Sequence, residues 1–208
     1  DLLGSRGLGD VYKRQASPHL AIDPVVISAQ VISAVQTIIS RSTDPVDKAL
    51  ISITKINAGT AYNVIDDQVK MGGTIRTFRR ETRAYIEKRL NELCKGIADA
   101  HGAEIKIEFD LVNKYPPTIN SKEETKFAAN VAKDLVGDDK VITDIDPSMG
   151  GEDFSYLLEK KPGSYLYLGQ GDAEHSAHLH TTKYDFNDNL LPIGVNFWVD
   201  LVQKYFSK

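Results

Sequence analysis

Cysteine occurs once in the 208 residues, at Cys94. No disulfide can form within the chain, and a reducing compartment suits it. Charge of one sign is never concentrated: 25 lysines and arginines face 29 aspartates and glutamates, a net of −4. Such a balance lacks the basic stripe that nucleic acid or an anionic membrane surface attracts. No apolar run is read as approaching the ~20 residues of a membrane span. The first fifteen residues carry five charges instead of a signal-peptide core. The cytoplasm is the expected location. Neither Cys-x-x-Cys nor His-x-x-x-His spacing occurs, so the familiar local metal motifs are missing. The 41% of hydrophobic residues is ordinary for a globular chain.

Asp10-Val11-Tyr12-Lys13-Arg14-Gln15 is what GAT GTG TAT AAG AGA CAG encodes, a string that looks like the end of a transposon-based sequencing adapter. Residues 1–15 are expected to be a non-native, adapter-derived segment. Gly4, Gly7 and Gly9 interrupt any periodicity there, and patterned sequence starts at Ala16.

Asp23 is placed to cap a helix opened by Pro24, because proline at the first helical position sacrifices no needed N–H. Val25, Val26, Ala29, Ile32, Val35, Gln36 and Ile39 suggest its apolar stripe, ending near Arg41. A strand is expected through Ile51, Ile53 and Ile56. A second follows from the alternation of Val69, Met71, Gly73 and Ile75. Ile86, Leu90, Leu93 and Ile97 recur at helical spacing, with Gly102 as the stop. Ile105, Ile107, Phe109 and Leu111 alternate with Glu104, Lys106, Glu108 and Asp110, which predicts a strand over 103–111 with one wet face. Cys94 is read as a buried thiol. The order helix, strand, strand, helix, strand is a ferredoxin-like βαββαβ layer without its first strand.

Pro116-Pro117 marks a boundary. Beyond it, Ser121-x-x-Glu124 reads as a capping box opening a helix over Phe127, Val131 and Leu135 that Gly137 stops. Val141–Ile145 and Ser164–Leu168 are expected as short strands. A last helix from near Asn187 carries Leu191, Val195, Trp198, Leu201, Val202 and Tyr205. These elements are too few to close an α/β core, so apolar surface on the last helix is expected to be exposed.

Three of the five histidines, His175, His178 and His180, fall within six residues. Neutral imidazole is a common ligand for zinc and similar ions, and Asp185 or Asn187 could orient such a ring. Spacing alone equally allows a polar loop whose histidines meet only water. In Gly150-Gly151-Glu152-Asp153-Phe154, adjacent glycines let backbone approach a ligand and offer N–H groups to an anion. Glu152 and Asp153 can equally be helix caps. Asn63 precedes a strand whose exposed face would carry Arg76. A guanidinium can grip a carboxylate, and an amide can donate to the same group or to a carbonyl. Spacing alone, however, favours an asparagine in a turn and an arginine on the exposed face of a strand.

Three motifs, taken together and in order, resemble the dinuclear-metal amidohydrolases that split N-acyl amino acids, such as aminoacylases, hippurate hydrolases and auxin-conjugate hydrolases. They are Gly59-Thr60-Ala61-Tyr62-Asn63-Val64-Ile65 with Gly73-Thr74-Ile75-Arg76-Thr77-Phe78, then Ser148-Met149-Gly150-Gly151-Glu152-Asp153-Phe154, then Leu179-His180 before Tyr184-Asp185-Phe186-Asn187. The resemblance covers Ala16 to the end. It implies a ferredoxin-like dimerisation, or lid, domain at 16–115, truncated at its start. It also implies the C-terminal portion of an α/β zinc-peptidase-like catalytic domain at 116–208. His180 would be a metal ligand, and Asn63, Arg76, Gly150 and Gly151 would contact substrate. Two divalent ions, zinc or manganese, would serve the complete protein. Where the family usually has proline the chain has Asp66, expected to loosen the turn after Asn63. Aligned on Pro18-His19, the family's oxyanion-stabilising histidine falls at Arg14, and His19 is left to support the fold. The general base and most metal ligands belong to the family's N-terminal half. No catalytic residue is therefore expected in this chain, which should be inactive alone and hold the ions poorly.

A homodimer through residues 16–115 is implied, and a standalone homodimerisation or binding module is the alternative function. An RNA-binding reading of the ferredoxin-like layer meets Glu104, Lys106, Glu108 and Asp110 where aromatics and basic residues are needed. No nucleic-acid or membrane partner is expected.

Overall fold

The computed structural model describes residues 18–110, 115–171 and 173–207. The chain is mixed α/β and divides between Pro117 and Thr118 into two compact units.

In the first unit α1 (Pro24–Thr37) starts where Asp23 caps it, Oδ1 accepting from Val25 N at 2.9 Å and Val26 N at 3.3 Å. A π-helical turn over Ile38–Ser42 prolongs it. The buried face differs from the expected stripe. It runs through Pro24, Ile27, Ser28, Val31, Val35 and Ile38, while Val25 and Val26 are exposed. A helix apolar on nearly every side does not announce which side faces the core. Ser28 fits that face because its hydroxyl donates to Val25 O at 2.7 Å. Pro24–Ser42 is also, against the sequence reading, long and apolar enough to cross a membrane, with 19 residues at a mean hydropathy of 1.3. Its inward face packs against α2 and β1, as in the core helix of a globular unit.

Strands β1 (Ala49–Asn57) and β2 (Lys70–Thr77) form an antiparallel pair from Ala49↔Thr77 to Asn57↔Lys70. Thr54 is an extra residue between the pairs Ile53↔Gly73 and Lys55↔Gly72, a bulge. Gly73 permits the close approach there, since a Cβ on it would lie 2.2 Å from Ser52 O. Helix α2 (Arg80–His101) ends as expected at Gly102, left-handed at φ 62°. Its Ile86, Leu90 and Cys94 meet Ile27, Val31, Val35, Ile38, Ile51, Val69 and Met71 in one core. His101 Nε2 and Gln30 Oε1, 2.9 Å apart, tie α2 to α1.

The strand expected over 103–111 is not continuous among the described residues. Burial alternates as foreseen, Ala103, Ile105, Ile107 and Phe109 half-buried against exposed Glu104, Lys106, Glu108 and Asp110. Only Ile107 forms an isolated bridge, however. Alternation fixes which side faces the core, whereas a ladder also needs a neighbour in register. Leu111 and residues 1–17, the expected adapter segment among them, lie outside the described residues.

In the second unit α3 (Lys122–Val136) and α5 (Leu191–Phe206) pack together. Phe127 meets Tyr205 edge to face at 6.1 Å, and Lys204 Nζ bonds Asp134 Oδ2 at 2.5 Å. α3 begins and ends at Ser121 and Gly137 as expected, but the capping box is not made. The Ser121 hydroxyl instead accepts from Gly163 N at 3.1 Å, drawn off by a segment 42 residues away. The strands expected at 141–145 and 164–168 do not form. The second of these segments is fastened by Asn120, whose Oδ1 accepts from Tyr165 N at 2.7 Å while Nδ2 donates to Tyr165 O at 2.9 Å. With its backbone so used, and no strand beside it among the described residues, β-branched and aromatic content does not make a ladder. α5 buries no residue fully, and Val195, Trp198, Val202 and Tyr205 are exposed as foreseen.

Candidate functional site

Asn63 is exposed in a turn of the loop joining β1 to β2. Asp66, the expected weak point of that loop, is its fastening: Thr60 Oγ1 donates to Asp66 Oδ1 at 2.8 Å. A side-chain bond across six residues does here what proline would do by stiffening φ. Arg76 is exposed near the far end of β2, paired with Leu50. Six residues at about 3.3 Å each put it about 20 Å along the strand from Lys70, where the loop leaves. Asn63 and Arg76 therefore belong to one unit, on separate parts of one hairpin.

Gly150 and Gly151 are exposed, and Gly150 N donates to Ser148 Oγ at 3.2 Å. The helix that follows, α4 (Phe154–Leu158), has only five residues, and Asp153 at its N-cap makes no side-chain capping bond. Glu152 turns the chain instead, its carbonyl accepting from Ser155 Oγ at 2.6 Å and Ser155 N at 3.2 Å. Its carboxylate Oε2 accepts from Tyr165 O–H at 2.8 Å. That bond, then burial, raises the Tyr165 phenol above its ordinary value, because ionisation would remove the donor and set two anions together. The Tyr165 ring lies against Phe154 at 5.6 Å and Tyr167 at 5.4 Å. Tyr165 carried no sequence signal, since its partnership joins residues thirteen apart.

His180 is exposed and has φ 64°, the only described non-glycine residue with positive φ. Left-handed backbone on a residue with a Cβ is uncommon and marks a site held by its surroundings. His178 is exposed and His175 half-buried. Asn187, proposed on sequence as a ring-orienting partner, is buried, at 6% exposure. Its Nδ2 donates to Gln170 O at 3.1 Å and its Oδ1 accepts from Asn189 N at 3.1 Å. Gln170, missed on sequence, also donates from Nε2 to His175 O at 2.8 Å. A glutamine without a motif around it offers nothing to notice. His19 is exposed in the turn Pro18–Leu20, and buries nothing as the fold support it was read to be.

Among the described residues no three histidine, cysteine, aspartate or glutamate side chains come together to hold a metal ion. Among the described residues His180 is thus a candidate ligand that belongs to no such group of three. Burial pushes the Cys94 thiol up to about 11, away from reactivity at neutral pH.

The sequence matches Peptidase family M20/M25/M40 over residues 8–204. It is 37% identical over 192 residues to the hippurate hydrolase of Campylobacter jejuni, covering 92% of this chain and 49% of that protein. It is 33% identical over 196 residues to IAA-amino acid hydrolase ILR1-like 2 of Arabidopsis thaliana, covering 93% and 44%. The YXEP protein of Bacillus subtilis, a dinuclear metal binding peptidase from the M20 family, superposes with a TM-score of 0.71 at 27% identity. That superposition covers 96% of this chain and 47% of YXEP. A tripeptidase of Staphylococcus aureus shares the fold at 19% identity, with a TM-score of 0.72 over 100% of this chain and 50% of the tripeptidase. The chain spans about half the length of the curated relatives it matches. Across nearly its full length, it belongs to peptidase family M20/M25/M40.

Proposed function

We propose that the complete protein hydrolyses the amide bond of N-acyl amino acids, hippurate-like conjugates among them. In this reading Arg76 grips the amino-acid carboxylate, Asn63 contacts the substrate from its own part of the hairpin, the backbone at Gly150 and Gly151 approaches the substrate, and His180 is a metal ligand. The complete protein would use two divalent ions, zinc or manganese, with most ligands and the general base outside this chain. The 208 residues alone would then be inactive. The ferredoxin-like lid at 16–115 would carry homodimerisation, and the protein would work in the cytoplasm. The exposed apolar residues of α5 suit a surface covered in the complete protein.

The observation that carries this reading is where the motif residues stand. Asn63, Arg76, Gly150, Gly151 and His180 are all exposed, and none is spent on either core. The names of relatives, which include a hippurate hydrolase and an IAA-amino acid hydrolase, support this substrate class. The test is benzoate release from hippurate by the complete protein, with Arg76→Ala beside it. Losing a charge-assisted carboxylate grip of about 2–3 kcal/mol should lower kcat/KM by about 30- to 150-fold, chiefly through KM. Full activity in Arg76→Ala, or none in the unaltered protein against a panel of acyl amino acids, would overturn the reading. Metal-stimulated release by the 208-residue chain would overturn its inactivity.

A non-catalytic dimerisation module is the second reading, favoured by the two-stranded sheet whose outer edges have no neighbour among the described residues. Metal-independent dimers, with no acyl amino acid bound, would support it.

A further inference from the structure

His180 holds its left-handed backbone inside a set of hydrogen bonds that converge on one residue. Thr181 Oγ1 donates to His178 O at 2.9 Å, bracketing His180, and Tyr184 N donates to Thr181 O at 3.2 Å in a turn that follows at once. Both flanks of this stretch reach Gln170. Its Nε2 donates to His175 O at 2.8 Å, five residues before His180. Its Oε1 faces the Tyr184 hydroxyl at a longer 3.4 Å, four residues after. Its own carbonyl receives Nδ2 of the buried Asn187, where the chain returns to start the turn Asp188–Leu190.

We infer that Gln170, backed by Asn187, is a positioning residue that fixes the backbone of His180 and so aims its imidazole. The inference rests on the proposed reading for His180's place in the site. Its geometry is independent of that reading. Left-handed φ on a non-glycine residue is strained and persists only where neighbours over-determine it. The Gln170 amide is suited to the task because one planar group both donates to a carbonyl and accepts from a hydroxyl. A glutamate of the same shape would keep the acceptor facing Tyr184. It would lose the N–H to His175 O and bring a carboxylate against that carbonyl. Asn187 is equally specific, since aspartate would keep the cap on Asn189 N and lose the donor to Gln170 O.

The test is nuclear magnetic resonance on the 208-residue chain with labelled histidine, free of metal and substrate. The three-bond amide-to-α-proton coupling of His180 reports its φ, and its ring signals report its surroundings. His19 and His101 serve as controls in the same molecule. Gln170→Glu and Gln170→Ala should lose the positive-φ coupling at His180, shift or broaden its ring signals, and leave His101 and the far-ultraviolet helix signal unchanged. Asn187→Asp should do the same more weakly. An unmoved His180 in Gln170→Glu and Gln170→Ala would overturn the inference. So would loss of the helix signal in both, which would make Gln170 a support of the whole unit instead. Because no substrate enters this measurement, a complete protein that hydrolysed no acyl amino acid would sink the proposed function and leave the clasp standing.

Discussion

Tyr165 donates its hydroxyl to Glu152 Oε2 across 2.8 Å, joining the segment after Gly163 to the Gly-Gly-Glu-Asp motif. The bond gives Glu152 a structural partner that its motif does not disclose. Removing the donor in Tyr165→Phe should cost about 1 kcal/mol, since the ring contacts with Phe154 and Tyr167 survive. The sign with pH follows from the raised phenol. The advantage is complete below the ordinary tyrosine value of about 10 and is lost as pH rises through the raised one. Urea titrations at pH 8 and above pH 10 should show the gap between the two proteins closing.

Cys94 is 2% exposed in the first unit's core. Its thiol should resist a disulfide reagent at pH 8 in the folded chain and react at once in denaturant. With its value raised from 9.0 to about 11 by burial, its contribution is intact below pH 9 and fades as pH climbs through about 11. Cys94→Ala should lower neutral stability by about 1–2 kcal/mol and flatten that alkaline decline. A parallel decline in both proteins would contradict the assignment.

Gly73 and Gly72 are adjacent, yet substitutions there should diverge. A Cβ at Gly73 would meet the Ser52 carbonyl at 2.2 Å, which only backbone movement can relieve. At Gly72 the nearest atom, Lys55 Cβ, is 3.8 Å away. Gly73→Ala should cost more than about 2 kcal/mol, or prevent folding, while Gly72→Ala should stay within about 1 kcal/mol. Thermal melts of the two variants decide this, and equal losses would contradict the bulge.

Asp47 joins the approach to β1 to the start of α2. Its Oδ1 pairs with Arg79 Nη1 at 2.9 Å and its Oδ2 accepts from the buried Thr82 hydroxyl at 2.9 Å. Arg79 itself caps nothing at the helix N-terminus, so a carboxylate there also suits the helix dipole. Asp47→Ala should cost about 1–3 kcal/mol because Thr82 loses its acceptor. Asp47→Asn, which keeps that acceptor, should recover part of the loss in urea denaturation.

Periodicity and punctuation were enough to place α1, α2, α3 and α5, the β1–β2 hairpin, and the stops at Gly102 and Gly137. Each depends on neighbours in sequence: Asp23 reaches only two and three residues ahead, and Gly102 needs nothing beyond its own φ. Two of the misses trace to a long-range competitor. Ser121 is three residues from its expected capping partner, yet Gly163 takes its hydroxyl. Residues 164–168 have a strand's composition, yet Asn120 takes the Tyr165 backbone. The face of α1 was misplaced because an apolar helix leaves the choice to whatever packs on it.

The candidate site divides on the same line. By itself the sequence determined the family, through the spacing of Asn63, Arg76, Gly150, Gly151 and His180, because motifs are local patterns of residue types. Only the tertiary structure decided that Asp66 fastens its loop, that Tyr165 holds Glu152, and that Gln170 and Asn187 close on the turn of His180. Those bonds span 6 to 17 residues. Which donor meets which acceptor across such distances is set by the path of the folded chain, and no local pattern of residues encodes that path.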